Sequence, residues 1–172
     1  MSVVCAKVYK DRIEFASDSI LVNGWTKNTS GDFSKMVAIN DMIIGATGVA
    51  VEASLLWHFA KTHKPESPTE RDILSFVAEF SKWKKENYGQ PEISNTYLLA
   101  YGGKLFFIER MFVYETTNFQ AIGAGEDFAL AAMHMGNSPR DAAQVACDLS
   151  CFVAGPVIQM AMLKTNPVTI VN

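Results

Sequence analysis

The sequence predicts an α+β fold, a four-layer αββα sandwich in which two antiparallel sheets pack face to face and helices cover both outer faces. Two observations lead there. Segments rich in β-branched and aromatic residues, joined by short turns, alternate with pairs of helical segments in the order strands, helix pair, strands, helix pair, strands. No internal repeat or low-complexity stretch interrupts that order, so the apolar faces must be buried against one another in a few layers. A chain of 172 residues suits one domain, 1–172, with a core several side chains deep.

SVVCAKVY and RIEFASDS are separated only by Lys10 and Asp11 and read as a hairpin. If Tyr9 sits opposite Arg12, stepping outward pairs Val3 with Asp18 and Ser2 with Ser19, so Ser2 and Asp18 share the open end. SKMVAI and MIIGAT repeat the arrangement around Asn40 and Asp41, which brings Lys35 near Ala46, Thr47 and Gly48. VEASLLWHFAKTH places Val51, Leu55, Leu56 and Phe59 at helical spacing. A second helix starts at Thr69 with Asp72 three residues on, runs on the stripe Ile73, Phe76, Val77, Phe80 and Trp83, and stops at Gly89. NTYLLAY and KLFFIER form a hairpin through Gly102 and Gly103, and MFVYETT extends that sheet. AIGAGEDFALAAMHMG enters a helix, Ser138 and Pro139 start another through about Leu149, and VIQMAML and VTIV close the chain as strands.

Composition excludes several functions. With 49% apolar and 19% charged residues the chain is that of a compact protein, not a disordered one. A net charge of −3 without a basic run gives no footprint for nucleic acid. The longest apolar runs are broken by Gly and Thr and fall short of a membrane span, and MSVVCAKVYKDR lacks the pattern of a signal peptide, so the expected location is the cytoplasm. Cys5, Cys147 and Cys151 read as reduced thiols in apolar settings. No HExxH, paired CxxC, GxSxG or GxxxxGK[ST] pattern is present, and Gly123-Ala124-Gly125 lacks the third glycine of a dinucleotide loop; no metal or cofactor is expected.

What remains is the N-terminal constellation. A hydroxyl needs a base, and a free α-amine on the same residue, with an ordinary pKa of about 7.7 to 8.0, can serve. Ser2 follows Met1 and is small enough to permit removal of Met1. An ammonium nearby favours the alkoxide and keeps the α-amine neutral, and a carboxylate holds that ammonium; Lys35 and Asp18 fit those roles. The backbone N–H of Gly48, where strand turns into helix, suits an oxyanion. Each residue also has a plainer reading: Asp18 as a loop cap, Lys35 as a solvated charge, Gly48 as relief for a tight turn.

The segments SVVCAKVYKDRIEFASDS and KMVAINDMIIGATG, then AIGAGEDFALAA, SPRDAAQVACDL and VAGPVI, together resemble proteasome β-subunits, the bacterial peptidase HslV and especially the Anbu branch, all N-terminal nucleophile (Ntn) hydrolases. The resemblance implies Ser2 as nucleophile, Asp18 as the strand-end aspartate, Lys35 as the catalytic lysine and Gly48 as the oxyanion glycine. Asp148 matches the family's late aspartate, with Ser150 or Cys151 in place of a following serine; its other reading is a helix-end charge. Three departures stand out: Ser2 where the proteasome has threonine, Ile20 where many members have arginine, and Ala124 in place of the serine of the glycine turn. The implied activity is hydrolysis of a peptide or unfolded-protein substrate within a homo-oligomeric ring or spiral, with an ATP-dependent unfoldase as a candidate partner. Two alternatives stay open, a catalytically silent ring-forming subunit and an amidase for small substrates. The helix pair from Val49 to Tyr88 is the expected subunit contact, with Trp57 as an anchor.

Overall fold

A computed structural model describes residues 1–24, 26–28, 33–165 and 169–171; of Asn23 and Ile170 only the backbone is described. Strands β1 (Val4–Val8) and β2 (Arg12–Ser17) pair in the register Val4 with Ser17 and Val8 with Ile13. Beyond the ladder the Tyr9 N–H donates to Arg12 O at 2.8 Å and the Asp18 N–H to Val3 O at 3.3 Å, so the register stepped out from Tyr9 and Arg12 reaches Val3 and Asp18. A short hairpin that the sequence pattern does not predict follows, β3 (Leu21–Asn23) and β4 (Thr26–Asn28). Strands of three residues are too short for an alternating pattern to register. Next come β5 (Met36–Ile39) and β6 (Met42–Thr47), which turn through Asn40 and Asp41, both at positive φ as a tight hairpin requires. Met36 pairs with Gly45, and the Ala46 N–H donates to Lys35 O at 2.8 Å.

Helices α1 (Ala50–Ala60) and α2 (Glu70–Tyr88) follow, the second capped by the Thr69 hydroxyl, which accepts from the Asp72 N–H, and ended by Gly89 at φ +73°. Strands β7 (Thr96–Tyr101), β8 (Lys104–Glu109) and β9 (Phe112–Thr116) complete one five-stranded sheet, ordered β5-β6-β7-β8-β9. The chain then crosses to the other sheet as β10 (Phe119–Ile122), which pairs with β1. Of the segment expected to enter a helix, Ala121 and Ile122 end β10 and the helix itself begins at Glu126, after the turn through Gly123 and Gly125. Helices α3 (Glu126–His134) and α4 (Pro139–Leu149) lead to β11 (Ile158–Leu163) and β12 (Thr169–Val171), giving the order β10-β1-β2-β11-β12. Val168, counted with the last strand from sequence, lies outside the described residues.

Three cores define the four layers. α1 and α2 press Leu56, Phe59, Phe76 and Phe80 onto Ile44, Leu99 and Phe106 of the sheet beneath. Between the sheets lie Val4, Ala6, Ile13 and Phe15 against Ile43, Leu98 and Leu105. On the far side, Ala129, Ala142, Ala143 and Ala146 of α3 and α4 sit on Cys5, Ala16 and Ala121. β1 and the residue before it show the strand periodicity plainly: Val4 and Ala6 face the opposite sheet while Val3 and Cys5 face the helices.

Two expectations need correction. The buried face of α1 is Glu52, Ala53, Leu56, Phe59 and Ala60, whereas Val51 is 67% exposed. The helix is rotated from the purely apolar stripe because Glu52 finds buried partners. The cysteines also differ from one another: Cys5 is buried, Cys147 half-buried and Cys151 exposed, since α4 ends at Leu149 and leaves Cys151 beyond it. Among the described residues no helix is long and apolar enough to cross a membrane.

Candidate active site

Ser2 stands one residue ahead of the Val3–Asp18 contact and is buried, 6% exposed. The turn between β10 and α3 grips its backbone: the Gly125 N–H donates to Ser2 O at 3.2 Å. A Cβ on Gly123, whose φ is +96°, would lie 2.4 Å from the same oxygen, so only glycine lets the turn come this close. Ala124 is exposed at the crest of that turn and has no hydroxyl to offer. With Met1 attached, the Ser2 hydroxyl donates to Met1 O at 2.7 Å and the Ser2 nitrogen is an amide, which is no base.

Asp18, directly after β2, is fully buried. Its Oδ1 accepts from the Val3 N–H at 2.9 Å and its Oδ2 from the Ile20 N–H at 3.4 Å. Lys35 Nζ donates to Ile20 O at 2.5 Å. Among the described residues no direct ion pair joins Asp18 to Lys35; the two charges meet through the backbone of Ile20. Burial pushes the Asp18 carboxyl up, against the Val3 N–H and the charge of Lys35, which favour the carboxylate. Burial pushes the Lys35 ammonium down, and Asp18 opposes that shift. The sequence departure at position 20 therefore leaves the linkage intact, since the residue contributes main-chain groups.

Gly48 joins β6 to α1 at φ +125°. No acceptor for its N–H is found among the described residues. Ser2, Lys35 and Gly48 border one cavity of about 440 Å³, whose wall includes Leu21 and Val22 of the β3 hairpin, Ala46, Ala53 and Trp57. Two short hairpins thus bring three of the sequence-derived residues to one opening, with Asp18 buried beneath. Trp57 borders this cavity and packs on the α1–α2 core, with its indole nitrogen buried and unpartnered among the described residues. Asp148 is placed elsewhere. It is exposed on the last turn of α4, where it accepts from Gln144 Nε2 at 2.7 Å, and it does not border the cavity. Of the two residues matched to the serine that follows it, Ser150 is buried and its hydroxyl accepts from the Phe152 N–H at 3.2 Å, while Cys151 is exposed.

Sequence reasoning misses Asn95, which borders the cavity beside Gly48, and the buried pair Glu52 and Lys84 behind it. A signal exists: each charge interrupts an otherwise apolar helical stripe, Glu52 ahead of Leu56 and Phe59, Lys84 after Phe80.

No protein-family model matches the chain, and no curated protein matches it in sequence. Solved structures do. BPH of Thiobacillus denitrificans in complex with epoxomicin is 22% identical with a TM-score of 0.84, the alignment covering 95% of this chain and 99% of that one. A second structure of the same BPH gives 22% identity, a TM-score of 0.85, and coverage of 95% and 98%. Eukaryotic HslV from Trypanosoma brucei is 17% identical, with a TM-score of 0.69 over 92% of this chain and 98% of that one. The fold is that of these BPH and HslV structures, as the resemblance in sequence implies.

Proposed function

We propose that the chain is a subunit of a proteasome-like, self-compartmentalising peptidase that cleaves peptide bonds through Ser2 once Met1 has been removed. The observation that carries this reading is the convergence of Ser2, Lys35 and Gly48 on one cavity, with Asp18 buried behind them. With Met1 gone, the Ser2 hydroxyl attacks the substrate carbonyl and its proton passes to the α-amine. The Gly48 N–H donates to the oxyanion, and collapse expels the leaving amine, which takes the proton from the α-ammonium. Water then attacks the ester with the α-amine as base and restores Ser2. The Lys35 charge favours the alkoxide, and Asp18 holds that charge through Ile20. No cofactor takes part. A homo-oligomeric ring or spiral in the cytoplasm would sequester the site, and an ATP-dependent unfoldase would supply unfolded chains.

Epoxomicin, bound in one of the similar structures, is an epoxyketone. Its warhead needs a hydroxyl for the ketone and a free amine for the epoxide, so it tests both halves of Ser2 at once. Intact mass should show loss of Met1, and the adduct should map to a peptide beginning at Ser2. Ser2→Ala should abolish labelling and leave the assembly intact, because one hydroxyl contributes little to stability. Labelling at Cys5 would move the nucleophile. The silent-subunit reading draws on Ala124, which brings no hydroxyl to the turn over Ser2. Absence of both labelling and peptide hydrolysis in a chain that has lost Met1 would decide for it.

A further inference from the structure

Glu52 and Lys84 form a buried ion pair at 2.7 Å, with side chains 7% and 4% exposed. Such a pair is an expensive way to pack two helices, because desolvation offsets much of the attraction. Its hydrogen bonds point to another role. Glu52 Oε1 accepts from the Asn95 N–H at 2.9 Å and from the Tyr97 hydroxyl at 2.8 Å, and the Ser94 N–H bridges both carboxylate oxygens at 3.0 and 3.1 Å. Lys84 Nζ also donates to Glu92 O at 2.6 Å. Burial opposes the Glu52 charge, but the hydrogen bonds from Lys84, Asn95, Tyr97 and Ser94 together hold its carboxyl below the usual range. The pair therefore fastens the segment ahead of β7 to the first turn of α1.

What that segment delivers is the Asn95 carboxamide. Its Oδ1 accepts from the Val49 N–H at 2.6 Å and its Nδ2 donates to Val49 O at 2.9 Å, so both main-chain groups of Val49 are held by one side chain. Val49 is the N-cap of α1 and receives no cap from its own side chain. On the other side of Gly48, Thr47 is held in the ladder opposite Thr96. The fit is close: a Cβ on Gly48 would lie 2.2 Å from Asn95 Oδ1.

We infer that Asn95, anchored by the buried Glu52–Lys84 pair, is a positioning residue that aims the Gly48 N–H into the cavity. This rests on the proposed role of that N–H as oxyanion donor. A donor stabilises a developing charge to the extent that it is already oriented, so freeing the turn lowers kcat and leaves ground-state binding in the cavity largely intact. A pair that merely joined α1 to α2 would affect stability alone.

The test uses the assembled chain with a free Ser2 and a chromogenic peptide, well below the unfolding temperature. Asn95→Ala should lower kcat by roughly 10- to 100-fold with KM changed by less than about threefold, and saturating epoxomicin should still label Ser2 fully. Amide exchange over residues 46–52 should quicken. Asn95→Asp serves where the alanine variant fails to assemble: ionised, it sets an oxygen against Val49 O, and protonated, it regains a donor. Its kcat relative to wild type should therefore rise as pH falls. An active wild type with Asn95→Ala at full kcat, or with Asn95→Asp at full kcat and a ratio flat with pH, overturns this inference alone. A wild type with free Ser2 that is neither labelled nor active overturns the peptidase reading and this inference with it.

Discussion

Replacing Gly48 by alanine separates backbone strain from the contact with Asn95. At φ +125° an L-residue is held in a region that glycine alone adopts readily, for a strain of about 1–3 kcal/mol. The new Cβ would lie 2.2 Å from Asn95 Oδ1 and 2.8 Å from its Cγ, so the carboxamide must move away and break its two hydrogen bonds to the Val49 N–H and C=O, each a net contribution of about 0.5–1.5 kcal/mol. That loss adds about 1–3 kcal/mol, for a total near 4 kcal/mol. In a chain of 172 residues each kcal/mol shifts the midpoint by about 2–4 °C, so Tm should fall by about 8–16 °C. The cycle with Asn95→Ala is the sharper measurement. In that background the contact is already gone, so Gly48→Ala should carry only the strain, and the two changes should couple by about 1–3 kcal/mol. Urea unfolding at one fixed protein concentration reads both values, since an oligomer of the proposed kind would make stability concentration-dependent. Additivity within about 0.5 kcal/mol would refute the claim that Asn95 and Gly48 act on one turn.

Asp18→Asn should leave stability at pH 7 unchanged or higher while lowering kcat by about 10- to 100-fold. The Asp18 carboxyl is pushed up by burial, so in the folded state ionisation is disfavoured: its contribution to stability is present at low pH and is lost as pH rises through the folded pKa. Asparagine keeps an oxygen for the Val3 N–H without that charge; lowered stability at pH 7 with kcat retained would contradict this. Losses in kcat from Asp18→Asn and Lys35→Met should not add, because both act through the contacts at Ile20, and a double variant equal to the sum of the two in free energy would separate them. Val51, Leu74 and Tyr88 expose apolar surface on α1 and α2, which a homo-oligomer built on this layer would cover. Sedimentation should show an assembly at micromolar concentration, and Leu74→Glu with Tyr88→Glu should shift it toward monomer; a monomeric wild type would exclude that contact.

The placement of Ser2, Asp18, Lys35 and Gly48 was legible because two hairpins with two-residue turns carry register outward by simple pairing. Lys35 opposite Ala46 and Asp18 opposite Val3 follow from Asn40-Asp41 and Lys10-Asp11 alone. Contacts without such a local ruler were not legible. β10 joins β1 across more than one hundred residues of chain, and the β3 hairpin that walls the cavity has too few residues for a period. Asn95 sits in an irregular stretch whose partners are fixed only when α1, α2 and β7 have assembled. Asp148 shows the opposite case: its place at a helix end was readable, but the distance from that end to the cavity is a tertiary fact.

The proposed nucleophile and the proposed oxyanion donor belong to different sheets, so their separation depends on how those sheets are set against each other. Ser2 leads into β1 of one sheet, and Gly48 follows β6 of the other. Gly123 meets both. The Cβ it lacks would lie 2.4 Å from Ser2 O and 2.9 Å from Thr47 Cγ2, the residue just before Gly48. The turn from β10 into α3 therefore wedges between the backbone of Ser2 and the strand end at Thr47. On the far side of Gly48, Asn95 fixes Val49. The two contacts constrain one geometry from opposite ends: the glycine turn sets how far Ser2 stands from β6, and the buried Glu52–Lys84 pair sets which way the next peptide points. Glycines at 48 and 123 are then the consequence of backbone packing at the seam between sheets, and the catalytic reading of Gly48 needs that packing before it needs any side chain.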